Sequence, residues 1–350
     1  MIKISRIVFA LIFATLVTGN VVSAQTTKAV ATPQRQLMQS LPDSDAIATL
    51  NAKKLLSTAL PQLLGADSPK LAEINNHIAG IKDKIGIDLR QFENIAVGIK
   101  YKQISATETD FEPVVLAEGS FNANGLLALA KLAANGKYRE EKIGERVVYV
   151  IRMPEIVKDP KAKPSMAEQA IQGMLRAFSG EIAVGAFDNN TLVAGPLSRV
   201  KETIAGTSTL SADMKAAGVL DTNAVLSFSG NVPSGFVSTL GLDALGNDEI
   251  SKIIGSLKVI SGSLDMAGTS AALTLAAKTN TLQQATDLED MAIGLQSLGK
   301  ALIGSLKGSP QDKEMYARLL ENAKIARLGM QVKMTVVVPQ TDLNTLGKKL

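Results

Sequence analysis

The chain has 350 residues, with 37 Lys and Arg against 33 Asp and Glu, one histidine, no cysteine and no tryptophan. A balance so close to neutral, without basic stripes interleaved with aromatics, speaks against a nucleic-acid partner. The lack of thiols excludes disulfides and thiolate metal sites, so stability must come from burial of aliphatic side chains.

Met1 to Ala24 reads as a signal peptide. Lys3 and Arg6 precede an apolar run from Ile7 to Val17 broken only by Thr15, and Val22-Ser23-Ala24 places small residues where signal peptidase reads them. The apolar run is too short to span a bilayer of ~30 Å, so no transmembrane segment is expected after cleavage. No cysteine stands near the cleavage point, which closes the lipid-anchored route. Loss of these 24 residues leaves 326, and the segment holds two of the basic residues and none of the acidic ones, so the remaining chain carries a net charge of +2. Residues 25–40, rich in Thr, Gln and Ala without apolar period, read as a flexible spacer.

Order is expected from Leu41-Pro42-Asp43 onward. Asp45 to Leu50 reads as a strand and Ala52 to Leu64 as a helix. Leu71, Ile74, Ile78, Ile81 and Ile85 mark one face of a further helix ending at Gly86. Ile95, Val97, Ile99 and Tyr101 then alternate with Ala96, Gly98, Lys100 and Lys102, the period of a strand whose large side chains form the buried face. A second apolar run covers Val114 to Ala117. A helix follows through Leu126, Leu129, Ala130 and Ala133, with Asn122 or Asn124 as N-cap and Gly136 as its stop. Lys137 to Lys142 and Glu145 to Arg152 predict a hairpin turning at Gly144. Pro154 to Pro164 reads as a solvated loop and Met166 to Phe178 as a helix.

The strand-strand-helix pattern returns at Ile182 to Gly185, Thr191 to Ala194 and the helix entered at Pro196. Between its strands, Asp188-Asn189-Asn190-Thr191 contains a glycosylation sequon but reads better as a hairpin turn tolerating positive φ. Gly206 to Leu220 is the candidate boundary. Beyond it come a strand at Ala224, Leu226 and Phe228, and a third strand-strand-helix set. That set comprises Ile260 to Met266, Ala271 to Ala277, and a long helix from Leu282 with Leu288, Met291, Leu295, Leu298, Leu302 and Leu306 at helical spacing. A helix from Gln311 to Ala323, a strand from Met330 to Val338 and a short helix after Pro339 close the chain. The expected class is α+β, with antiparallel sheets covered by helices and built from repeated strand-strand-helix units. The expected halves are residues 41–208 and 209–350.

Motifs for chemistry are sparse. A Ser-His-acid triad or a histidine metal site would need His77, which lies beside the apolar face of its helix, and no Gly-x-Ser-x-Gly elbow supplies a nucleophile. Ser198 with Lys201, and Ser297 with Lys300, match Ser-x-x-Lys but lack the companion elements of penicillin-recognising enzymes. Gly294 to Lys300 approximates a phosphate loop, yet Ala301 stands where the magnesium-binding hydroxyl belongs and the stretch falls inside a helix. Asp287, Glu289 and Asp290 are conceivable cation ligands, but acids near a helix start are favoured by its positive end. Asp43 and Asp45 are a second conceivable pair, in a string that also reads as a solvated turn. No catalytic, cofactor-binding or metal residue is assigned from these patterns.

Leu41-Pro42-Asp43-Ser44-Asp45-Ala46, Phe92-Glu93-Asn94-Ile95-Ala96-Val97-Gly98, Gly119-Ser120-Phe121-Asn122 and Tyr138-Arg139-Glu140-Glu141-Lys142 together resemble exported proteins of Gram-negative soil bacteria of the acidobacterial kind, a family with no defined function. The resemblance implies a periplasmic or secreted protein and carries over no site residue. The expected function is a non-enzymatic binding or scaffold module of the envelope, with an unknown protein or an apolar ligand as partner. A lipid or apolar-ligand carrier and an exported carboxylate-dependent hydrolase are the alternatives.

Overall fold

A computed structural model of the chain describes residues 33–103, 109–153, 180–206, 221, 223–232, 248–305 and 308–347. The expected signal peptide, the loop and helix expected between residues 154 and 178, and almost all of the boundary expected from Gly206 to Leu220 lie outside them. The fold is α+β, with antiparallel sheets and covering helices. The chain divides into two compact units, one drawn from Ala31–Leu56 and Ala72–Ala216, the other from Ser57–Leu71 and Ala217–Leu350.

The first unit begins with α1 (Pro33–Gln39), where a flexible spacer was expected. Leu37 and Gln34 are buried, so this turn of helix is held by packing that its polar composition conceals. Strand β1 (Ala46–Asn51) leads into α2 (Ala52–Lys54), capped by the Asn51 side chain. The single helix expected over Ala52 to Leu64 is interrupted by a π turn (Leu55–Ala59) before α3 (Leu60–Leu64). Pro61 brings no N–H to the ladder there. Helix α4 (Pro69–Ile85) buries Leu71, Ile74 and Ile78 but leaves Ile85 exposed.

Strands β2 (Phe92–Gln103) and β3 (Thr109–Gly119) pair along their length and deliver the chain to α5 (Ala123–Ala134). The Asn122 side chain accepts from the Gly125 amide at 2.8 Å, and Asn135 in the left-handed region ends the helix. The hairpin of β4 (Tyr138–Ile143) and β5 (Arg146–Met153) turns at Gly144, whose φ of 60° suits glycine. Strands β6 (Gly180–Ala186) and β7 (Thr191–Gly195) precede α6 (Leu197–Ala205). The β6–β7 turn forms without positive φ, since among described non-glycine residues only Asn135 has one. Instead the carbonyls of Asn189 and Asn190 accept from the amides of Ala123 and Gly119, tying the turn to the start of α5. The strand order is β1-β2-β3-β7-β6-β5-β4.

The second unit contains β8 (Leu226–Asn231), α7 (Asp248–Gly255), β9 (Leu257–Ala267), β10 (Ser270–Thr279) and α8 (Leu282–Leu302). It continues through α9 (Pro310–Asn322), β11 (Lys324–Leu328), β12 (Gln331–Pro339) and α10 (Gln340–Gly347). Thr281 with Gln284, and Ser309 with Asp312, form capping boxes that start α8 and α9. The strand order is β11-β12-β10-β9-β8, all antiparallel. Edge strand β11 carries Lys324 and Arg327 in five residues and has no apolar alternation to mark it in the sequence. In β8 the hydroxyl residues lie deeper than the large apolar ones: Ser227 and Ser229 are buried while Leu226 and Phe228 are only half-buried. The core gathers Ala285 and Leu288 of α8 on Val332, with Ile253, Leu257, Ala277, Met291 and Ile325 around them. Residues 57–71, expected in the first half, cluster here because α3 packs on α10. The Gln340 side chain donates to the Gln62 carbonyl at 2.6 Å, and a Cβ on Gly347 would stand 1.9 Å from the Leu63 carbonyl oxygen.

Candidate functional site

The register of the first unit's sheet sorts its side chains into two faces of opposite character. Thr49, Ala96, Leu116, Val193, Gly185 and Val148 lie opposite one another across the strands, and all are buried. The neighbouring row, Ala48, Val97, Val115, Ala194, Val184 and Tyr149, points the other way. Every member of it is only half-buried. Leu50, Ile95, Ile99 and Tyr101 extend the same half-buried face along β1 and β2.

This arrangement inverts the expectation for β2, whose small residues are the deeply buried ones. A Cβ on Gly98 would stand 2.5 Å from Ser44 Oγ and 3.5 Å from Leu41 Cδ2, so the segment after α1 presses directly on the backbone. Ser44 donates to the Pro42 carbonyl at 2.8 Å and accepts from the Arg199 guanidinium of α6 at 3.1 Å. In β2 the small side chains on this face let the neighbouring segments pack closely, and its large apolar ones are left on the other.

Aromatic pairs stand at both ends of the half-buried face. Tyr101 meets Phe111 edge-on at 5.5 Å between ring centroids. Burial, and secondarily the Asp45 carboxylate, push the Tyr101 phenol up to about 12. At the far end Tyr138 meets Tyr149 at 5.8 Å, and Lys131 Nζ of α5 sits 4.6 Å from the Tyr149 ring centroid. Lys131 also pairs with Glu140 at 3.1 Å, and that bond raises its pKa. The contact to Tyr149 places α5 on the half-buried side, over the β4–β6 end.

The polar candidates are engaged elsewhere. Asp43 and Asp45 converge on a lysine: Lys100 Nζ is 2.6 Å from Asp43 and 3.7 Å from Asp45. The Asp43 hydrogen bond foremost raises the Lys100 pKa. Asp45 also accepts from the Tyr101 amide at 2.8 Å. Arg199, with its side chain 3% exposed, donates to the Asp43 carbonyl at 2.8 Å and pairs with Glu202. The cluster fastens the α1–β1 connection to β2 and α6. No motif flags Arg199 in the sequence.

His77 is exposed, its Nδ1 donating to the Glu73 carbonyl at 2.7 Å within α4. Ser198, Lys201, Ser297 and Lys300 are all exposed on α6 and α8, and Gly294 to Lys300 lies inside α8. Glu289 pairs with Arg327 at 2.9 Å, and Asp287 accepts from Gln283 at 2.8 Å. Among the described residues no three of His, Asp or Glu gather as metal ligands, and no helix is long and apolar enough to cross a membrane.

No family model and no curated protein matches the sequence. Solved structures of TP0453 are similar to it at 8% identity. Crystal form III gives a TM-score of 0.41, covering 90% of this chain and 98% of that one. Form I gives 0.39, covering 89% and 96%, and form IV gives 0.38, covering 88% and 93%.

Proposed function

We propose that the protein is an exported, non-enzymatic binding module whose ligand surface is the half-buried apolar face of the first unit's sheet. The carrying observation is the contrast between the two rows. On one side of the same strands the row through Ala96, Leu116, Val193 and Val148 is buried, while Val97, Val115, Val184 and Tyr149 on the other are only half-buried. An apolar face with aromatic ends suits an apolar ligand, a lipid chain or the apolar stripe of a partner. Export rests on Lys3, Arg6, the apolar run and Val22-Ser23-Ala24 at the start of the chain. Asp43 and Asp45 are tied to Lys100, and Glu289 to Arg327, in ion pairs, which favours binding over bond cleavage.

Mass spectrometry of organic extracts from the purified protein tests the reading. A stoichiometric apolar molecule is the expected result. A clean extract, together with turnover of ester, peptide or glycoside substrates that is lost in Asp43→Asn or Asp45→Asn, would replace it with the hydrolase.

A further inference from the structure

The apolar stripe of α8 changes character along its length. Leu288 is buried and Met291 half-buried against the second unit's sheet, whereas Leu295, Leu298 and Leu302 are 51%, 52% and 48% exposed. The spacing through Leu288, Met291, Leu295, Leu298 and Leu302 is three, four, three, four, the a/d rhythm of a coiled-coil seam. At about 100° per residue, the four from Met291 to Leu302 fall within about 60° of one another. Helix α9 does not cover them, because it occupies the flank. Gln296 donates to the Leu320 and Ala323 carbonyls at 2.6 and 2.8 Å, and a Cβ on Gly299 would lie 3.0 Å from Leu320 Cδ1.

We infer that this seam pairs with the same seam of a second copy of the chain, antiparallel, about a two-fold axis near Leu298. The seam is its own complement. Leu298 meets its symmetry mate and Leu295 meets Leu302 of the partner subunit, as a two-fold contact requires. Gly294 and Ala301, seven residues apart, lie along one side of the leucines, and a Cβ on Gly294 would meet nothing within 4 Å. Holes are therefore available for the incoming knobs. From Met291 to Ser305 the sole charge is Lys300, on the far side of the helix, so two copies approach without repulsion and no ion is desolvated. A bilayer surface fits less well, because interfacial helices line their polar face with several Lys or Arg. From Met291 to Leu302 the seam is roughly 17 Å long at about 1.5 Å per residue, and a contact of that length falls at the small end of specific interfaces, so the dimer is weak, of micromolar strength. This inference stands apart from the ligand surface of the first unit.

Sedimentation velocity of the purified protein from about 1 to about 200 μM tests it, a range chosen to bracket micromolar affinity. The wild type is expected to pass from monomer to dimer. Leu298→Glu and Leu298→Lys are each expected to stay monomeric, and an equimolar mixture of the two to dimerise again. Lys300→Glu should behave as wild type. Since Leu298 is half exposed, unchanged circular dichroism and urea midpoint will show that the variants fold. A wild type that stays monomeric throughout, a Leu298→Glu variant that still dimerises, or a mixture that does not recover would each overturn the inference. A monomer that floats with phosphatidylglycerol vesicles through Leu298 would overturn it in favour of a membrane surface.

Discussion

Gly98 shows how one position sets the polarity of a strand. The space a Cβ would need is taken by Ser44 Oγ, and that hydroxyl cannot swing away without losing its bonds to the Pro42 carbonyl and Arg199. Gly98→Ala is therefore expected to destabilise the protein by about 1–3 kcal/mol, read as a lower urea midpoint. Gly80 in α4 is the control, because a Cβ there meets nothing within 4 Å and its φ is not positive. Gly80→Ala should stabilise by about 0.5–1 kcal/mol. Tyr101 reports on the other face. Its folded pKa of about 12 lies above the ordinary phenol value, because burial disfavours the phenolate. The sign follows: the neutral phenol costs nothing below about pH 10, and stability falls as pH rises from there to about 12, where the unfolded chain ionises first. Tyr101 should titrate late by phenolate absorbance, and Tyr101→Phe should remove that late component.

At the scale of elements, caps are separable from near neighbours. Sequence alone leaves Asn122 and Asn124 as equivalent caps for α5, but Asn122 accepts the Gly125 amide while Asn124 is exposed inside the helix. Asn122→Ala should cost about 1 kcal/mol in unfolding free energy, and Asn124→Ala less than about 0.5. Alternation in β2, β9, β10 and β12 was legible because a period of two survives in the residue types. Which face lies deeper was not. Large side chains mark the core only where both faces are not packed, and in β2 the deep face is made of Ala96 and Gly98 because Leu41 and Ser44, some fifty residues earlier, press on it. The α8 stripe is the same lesson in a helix: spacing shows a seam, and only tertiary context shows that its second half extends beyond the cover.

For the molecule as a whole, the α+β class could be read from strand-strand-helix order, while the place of residues 57–71 in the second unit could not be read from composition. Gln62, Gly347 and Gln340 bring α3 to α10 across most of the chain, and no local pattern announces such a contact. The candidate site was equally hidden. It is a face rather than a motif, composed of residues that singly read as ordinary core, whereas the conspicuous polar strings proved to be caps, ion pairs and solvated helix faces. The proposed binding of an apolar ligand along the row through Val97 and Val115 can be read by fluorescence titration with N-phenyl-1-naphthylamine. Saturable binding by the wild type is expected. Val97→Thr, which keeps the shape but adds a hydroxyl, should weaken it by roughly fivefold or more, and Val193→Thr on the buried face should leave affinity unchanged while lowering stability. Absence of saturable binding, or equal affinity in wild type and Val97→Thr, would rule this face out as the ligand surface.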